Sequence, residues 1–335
     1  MSRSRHDFKP KTAWRKFRYQ LEFLVSQLGF ILVPLIPRSC VYPLAQFLGT
    51  VAFKCIRRDR ELALTNLRFV YGTEKSEQEI FALALKSMRN FALVIIDSLW
   101  CRNLKNSNID QYVTFDPIGL ALYDRLVAEG KGVILIGMHH GNWEWMSLGI
   151  GFKGRPVNIV VQEMRNRKIN DAFNVVRTRA GHRLLYRESP ALALKLFKAL
   201  KKGETLGLLT DLNAKEHEGA IAVDFMGKKI HANSAPALLA LRTGAAIVMM
   251  TTYWEDGKYQ THFGPIMPTD FEGAEDEKIK AITQHWLNVF ETTIRDRPER
   301  WLWSYKRFKY RPTEELEGYP EYSRYSPILG RGNKK

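Results

Sequence analysis

The sequence predicts an α/β protein: a mixed central sheet flanked by helices, preceded by an N-terminal hydrophobic helical segment. Two observations carry this. Short apolar runs of strand length (Val133 to Met138, Val157 to Val161, Leu206 to Leu209 and Ala245 to Thr252) recur between stretches with apolar residues every three or four positions. Ahead of them lie two further apolar segments, Leu21 to Ile36 and Val41 to Ile56, separated by breaks at Pro34 and Pro37. With 335 residues, 45% of them hydrophobic, the chain can bury one large core. The boundaries fall at 1–56 for a basic, membrane-associating segment, 57–310 for the main domain and 311–335 for a tail.

Residues 1 to 20 carry seven Lys or Arg against one Asp. The apolar stretch that follows is interrupted by Glu22 and Gln27 and has no small-residue cleavage site, so it does not read as a signal peptide. It is too short to cross a bilayer comfortably. The second segment ends at Arg57-Arg58-Asp59-Arg60, and basic residues on both flanks favour a shallow hairpin or an interfacial anchor over a single crossing. A pair of soluble helices packed on the domain is the other reading.

From Arg57 to Trp100 the spacing is helical, with a start signal at Thr73-x-x-Ser76 and a packing role for Trp100. Helices are expected again over roughly 169–180, 192–200, 236–244 and 277–294, with Ser234 as the cap before Pro236. Tyr259 to Phe263 reads as an edge strand. Trp301 and Trp303 read as core or interface aromatics, with Lys306-Arg307-Phe308-Lys309 a basic cluster turned toward lipid headgroups. Beyond Tyr310 no apolar period remains, so that stretch is expected to be mobile or draped on the surface.

The formal net charge of +16 attracts nucleic acid, anionic lipid or an acidic protein. No nucleic-acid-binding signature accompanies it, and aromatics are not interleaved with the cations, so nucleic acid is the weaker partner. Cys40, Cys55 and Cys101 have no metal or disulfide spacing. The polar loop Lys215-Glu216-His217-Glu218 reads as solvated, so no metal and no cofactor are expected.

The chemistry concentrates in Gly132 to Trp145, GVILIGMHHGNWEW. A buried strand delivers His139 to its end, and Asn142 caps a helix whose first turn carries Glu144. A histidine in the loop and a carboxylate in the next turn make a base and its orienter. A structural hydrogen-bonded pair is the alternative. No nucleophile elbow occurs in the chain, so the attacking hydroxyl is expected to come from a substrate, which points to transfer between two bound molecules. A hydrolase using water is the rival enzyme, and a basic membrane-binding protein the non-enzymatic one.

The hexapeptide His139-His140-Gly141-Asn142-Trp143-Glu144, following the GVILIG strand, resembles the HX4E motif of the lipid A biosynthesis late acyltransferases. Further blocks extend the likeness from about residue 17 to 310: Asn66-Leu67, Val223 to Gly227, and Pro298-Glu299-Arg300-Trp301-Leu302-Trp303. The resemblance implies a glycerolipid-acyltransferase-like fold, His139 as general base and Glu144 as its orienter. An acyl group would pass from acyl carrier protein to a hydroxyl, or acyloxy hydroxyl, of a lipid A precursor. Another glycolipid or a lysophospholipid is the alternative acceptor. It also implies an anchored protein on the cytoplasmic face of an anionic inner membrane. Arg177, four residues before Gly181, matches a basic position of the family and with Asp211 is expected to place the acceptor. A plain helix-terminal cation is the other reading of Arg177. Asn142, Arg165 and Ser234 complete the expected substrate-binding set, with Ser234 and Ala235 shaping an acyl pocket.

Overall fold

A computed structural model describes residues 13–164, 166–215, 219–314 and 317–326. Arg165, the 216–218 part of the polar loop and residues 327–335 lie outside it.

The N-terminal third is helical: α1 (Ala13–Leu32), α2 (Arg38–Cys55), α3 (Arg57–Tyr71) and α4 (Glu77–Trp100). A short 3-10 turn at Val33–Leu35 bends the chain between α1 and α2. At the expected start of α4, the Ser76 hydroxyl accepts from the Glu79 N–H while the Glu79 carboxylate accepts from the Ser76 N–H at 2.8 Å, a reciprocal capping box.

The rest alternates. In chain order come β1 (Val113–Phe115), α5 (Pro117–Ala128), β2 (Val133–Gly137), α6 (Trp143–Phe152), β3 (Asn158–Val161), α7 (Arg167–Arg179), β4 (Arg183–Tyr186), α8 (Leu192–Lys201) and β5 (Thr205–Leu209). A hairpin of β6 (Ala220–Phe225) and β7 (Lys228–Asn233) follows, then α9 (Ala235–Thr243), β8 (Ala246–Glu255), β9 (Lys258–Met267) and α10 (Glu275–Asp296). Two-residue strands β10 (Tyr310–Arg311) and β11 (Arg324–Tyr325) pair near the C-terminus.

The main sheet has the order β1-β9-β8-β2-β5-β3-β4 and is parallel except for the β8–β9 pair, so it is mixed as expected. β2 lies between β5 and β8 and is buried along its whole length. Its alternating side chains divide the core. Val133 and Leu135 face a cluster with Met146, Ile150 and Tyr123, while Ile134 and Ile136 face a larger one with Trp286 and Phe290 of α10.

Two expectations change here. The Tyr259 strand is not at the edge, because β1, which has too few residues for a periodic signal, pairs with it in parallel. Ser234 does not cap α9: its hydroxyl donates to Gly219 O at 2.7 Å, and Asn233 Oδ1 accepts the Ala235 N–H instead. Of the two readings of the tail, the described residues follow the draped one. Tyr322 OH donates to buried Asn66 of α3, and Tyr319 OH to Lys229 O at 2.8 Å.

Candidate active site

The register of the sheet places the key pair. Gly137 of β2 lies opposite Leu209 of β5, and the Thr210 N–H donates to Gly137 O at 3.0 Å, so the residues two past each strand end also face one another. Those residues are His139 and Asp211. His139 Nδ1 lies 2.8 Å from Asp211 Oδ1, and the His139 backbone N–H donates to Asp211 Oδ2 at 3.0 Å.

The Asp211 side chain is fully enclosed, and two further donors make three hydrogen bonds to the residue. Trp301 Nε1 donates to its Oδ2 at 2.9 Å, Arg307 Nη1 to the same oxygen at 2.6 Å, and Arg307 also to the Asp211 carbonyl at 3.2 Å. Burial opposes ionisation of this carboxyl, but the Arg307 guanidinium, His139 and the indole N–H together hold it well below the usual carboxylate range. An ionised carboxylate only accepts, so the proton on His139 sits on Nδ1 and the Nε2 lone pair is free. Nε2 makes no hydrogen bond among the described residues, and the His139 side chain is 18% exposed.

Glu144, expected to orient His139, is not its partner. From the first turn of α6 it faces α7, where it receives a two-pronged ion pair from Arg177 Nε, at 3.1 Å, and Arg177 Nη2. Both side chains are largely enclosed, at 17% and 13% exposed. The Arg177 fork is thus occupied by Glu144 and not open to an acceptor headgroup, while Asp211 takes the orienting position expected of Glu144. The pair ties α6 to α7. Glu144→Gln leaves a mostly buried guanidinium short of its counter-charge, an expected loss of about 3 kcal/mol. The double variant Glu144→Gln/Arg177→Met is expected to recover much of it in denaturant titration. A loss that persists in the double variant would show that the stranded guanidinium is not its cause.

The motif loop itself is clamped by backbone. Leu302 N–H donates to His139 O at 2.9 Å, Gly141 N–H to Arg300 O at 2.9 Å, and Asn142 N–H to Thr252 O at 3.0 Å. Gly141 adopts φ +64°, and a Cβ there would stand 1.9 Å from Thr252 O, so only glycine lets the loop and β8 approach this closely. Asn142 caps α6 as expected, its Oδ1 accepting from Trp145 N–H at 3.0 Å. His140 is buried, its Nε2 3.1 Å from Arg297 O. Burial pushes its pKa down to about 4, so it stays neutral and Nε2 carries the donating proton. Above His139, Trp143 meets the imidazole edge to face with centroids 4.9 Å apart, and Phe91 of α4 stacks on Trp143.

Of the expected substrate-binding residues, Asn142 is beside His139 as a cap, Ser234 is spent on the β6–β7 hairpin, and Arg165 is outside the described residues. Sequence reasoning missed Arg307 and Trp301 as the residues that hold Asp211. Their place in an aromatic and basic block gave only a surface reading, although the apolar run Trp301-Leu302-Trp303 just ahead of the cations is equally a strap that crosses a core. A surface cleft of about 700 Å³ between α7 and β4 is lined by neither His139 nor Asp211 and takes no part in this site.

A base at the end of a central parallel strand, oriented by an ionised acid, suits the activation of a hydroxyl. The model of the family described as bacterial lipid A biosynthesis acyltransferase matches residues 8–310. Lipid A biosynthesis lauroyltransferase of Escherichia coli K12 is 26% identical over 321 residues, 95% of this chain and 98% of that protein. The palmitoleoyltransferase of the same organism is 25% identical over 285 residues, 83% and 89% of the two chains. A phosphatidylinositol mannoside acyltransferase of Mycolicibacterium smegmatis is 23% identical over 175 residues, 51% of this chain and 55% of that one. With nearly its whole length matched by the family and its relatives, this chain belongs to the bacterial lipid A biosynthesis acyltransferases and is an acyltransferase.

Proposed function

We propose that the protein moves a fatty acyl chain from an acyl-carrier-protein thioester to a hydroxyl of a lipid A-type glycolipid, working on the cytoplasmic face of the inner membrane. The observation that carries the reading is His139 with Nδ1 bound to ionised Asp211 and Nε2 free. Nε2 removes the proton of the acceptor hydroxyl as its oxygen attacks the thioester carbonyl. The tetrahedral intermediate collapses by breaking the C–S bond, and the imidazolium returns the proton to the departing thiolate. Asp211 holds the tautomer and stabilises the imidazolium, which is most favoured in the transition state.

A lipid A-type acceptor is supported by the two relatives covered over most of their length, against roughly half for the mannoside enzyme. The net charge of +16 suits an acidic carrier protein and an anionic leaflet. Membrane attachment is supported by α1. Trp14, Phe17, Leu21, Leu24, Leu28 and Ile31 recur every three or four residues and are each 50% to 69% exposed, a helical stripe left uncovered by the described residues. Arg18 is one of seven cations among the first twenty residues. No single described helix is long and apolar enough to cross a membrane, and α2 and α3 meet that composition only as a pair bent by 91°. An interfacial helix with its apolar stripe in the headgroup boundary fits these facts. Elsewhere α1 packs on the α7 region: Asn166, just ahead of α7, donates to Tyr19 O at 2.8 Å, and Phe173 of α7 packs on Phe30.

The test is product analysis with purified protein, fatty acyl carrier protein and a lipid A precursor in mixed micelles. The acceptor is expected to gain the mass of one acyl chain while one free carrier thiol appears for each transfer. Free fatty acid with no acylated acceptor would make the protein a hydrolase and sink the reading.

A further inference from the structure

At the joint between α1 and α2, Arg38 is the first residue of α2 and reaches through the helical layer to Asp97 of α4, donating through both terminal nitrogens. Its guanidinium sits in an aromatic cage, with its carbon 4.6 Å from the Trp145 ring centroid, 4.7 Å from Trp254 and 5.2 Å from Trp100. The Arg38 side chain is 14% exposed and that of Asp97 is fully buried. Such a pair and cage hold an arginine in one orientation, since a planar fork and a stacked face both constrain it.

What Asp97 touches next gives the pair its meaning. Its Oδ2 accepts from Tyr259 OH and from Asn142 Nδ2 at 3.4 Å, while Asn142 Nδ2 also donates to Tyr259 OH at 2.9 Å. The Asp97 carbonyl accepts from Trp145 Nε1 at 3.0 Å. Asn142 and Trp145 are the cap and third residue of the motif helix, and Asn142 is three residues from His139. A continuous polar chain therefore runs from the first residue of α2 to the loop that carries the base. It also starts at the bend between α1 and α2, so any shift of these helices against the sheet moves its first member.

We propose that Arg38 and Asp97 are positioning residues that couple the seating of α1 and the α1–α2 bend on a lipid bilayer to the geometry of the His139 loop. The inference rests on the acyl-transfer reading above. Lifting α1 from the surface lets Arg38 withdraw, leaving Asp97 buried without its counter-charge and free to draw Asn142 out of its capping position. A seated α1 fixes Arg38 and with it the cap of α6. The site thus works best where the lipid acceptor is.

The experiment compares the full-length wild type with Arg38→Lys and Tyr259→Phe in detergent micelles and on vesicles containing about 30% anionic phospholipid, with vesicle co-sedimentation and thermal melting in parallel. The Arg38→Lys substitution keeps the charge, loses the fork and the stacking, and removes the Nε–H that has no acceptor in its buried position. The wild type is expected to turn over at least fivefold faster on vesicles. Arg38→Lys is expected to bind vesicles as the wild type does yet lose the stimulation, with kcat about tenfold lower and the donor KM unchanged. Tyr259→Phe, which removes one hydroxyl from the chain, is expected to lose part of the stimulation and carries the test if Arg38→Lys does not fold. Equal stimulation in variant and wild type, no stimulation of the wild type, or loss of vesicle binding in Arg38→Lys would each overturn the coupling. A wild type that transfers no acyl chain under either condition defeats the proposed function instead, which keeps the two failures apart.

Discussion

Replacing His139 by Ala or Asp211 by Asn is expected to lower the transfer rate by about 10³–10⁴-fold each, and the double variant by little more, since a base and its orienter act as one unit. The two single variants are expected to part company in stability. Without the imidazole, Asp211 still has Arg307 and Trp301, and the partly exposed site closes over with water, so His139→Ala is expected to melt near the wild type. Asp211→Asn instead leaves the Arg307 guanidinium buried without a counter-charge, an expected loss of about 3–5 kcal/mol. Acid unfolding tests the same charge. The Asp211 carboxyl has its pKa lowered by folding, so between the folded value and the unfolded value near 3.9 the unfolded state binds more protons. Its contribution is therefore complete above about pH 4 and disappears as the pH falls below that, and Asp211→Asn is expected to show a shallower acid limb in stability than the wild type. A variant with wild-type turnover would remove the proposed base pair outright.

The alternation of apolar strands and amphipathic helices was legible because each element carries its own period within a dozen residues. His139 at a strand end and Asn142 as a cap were legible for the same reason, since both follow from neighbours in sequence. The partner of His139 was not. Asp211 is 72 residues away and arrives by the alignment of β2 with β5, a register that no local pattern encodes. Glu144 was the nearer carboxylate, but a helix first turn can face the sheet or a neighbouring helix, and here α7 supplies Arg177 to settle the choice. Arg307 illustrates the other failure. A run of Lys and Arg reads as a surface, yet Arg307 is buried because the Trp301–Trp303 strap carries it under the motif loop, and only Lys306 and Lys309 of that cluster keep outward positions. The hydrophobic period of α1 was visible as an apolar run, whereas the helix length Ala13–Leu32 and the bare stripe along it follow only once its few contacts with α4 and α7 are known. Short strands such as β1 left no signal at all.

Arg307→Met is expected to change the pH dependence of stability, and the sign follows from who is left beside Asp211. In the wild type the carboxylate is shared between Arg307 and His139, with Arg307 taking the shorter contact of 2.6 Å. Burial pulls the Arg307 pKa down, yet a guanidinium starts so far above neutrality that it stays charged. Arg307 is the largest of the attractions that hold the Asp211 carboxyl below its usual range, so without it the folded-state pKa rises toward the unfolded one. The acid limb of folding stability is therefore expected to be shallower than in the wild type. Near neutrality, folding stability is expected to drop by about 3–5 kcal/mol, because the buried carboxylate keeps only a partly exposed imidazole and an indole N–H. Arg307→Lys, able to keep a point charge at Asp211, is expected to leave the acid limb near its wild-type position. If both variants lose stability while the acid limb stays fixed, Arg307 is a structural cation that does not hold Asp211 ionised, and the charge balance at Asp211 is set by the indole and the loop backbone alone.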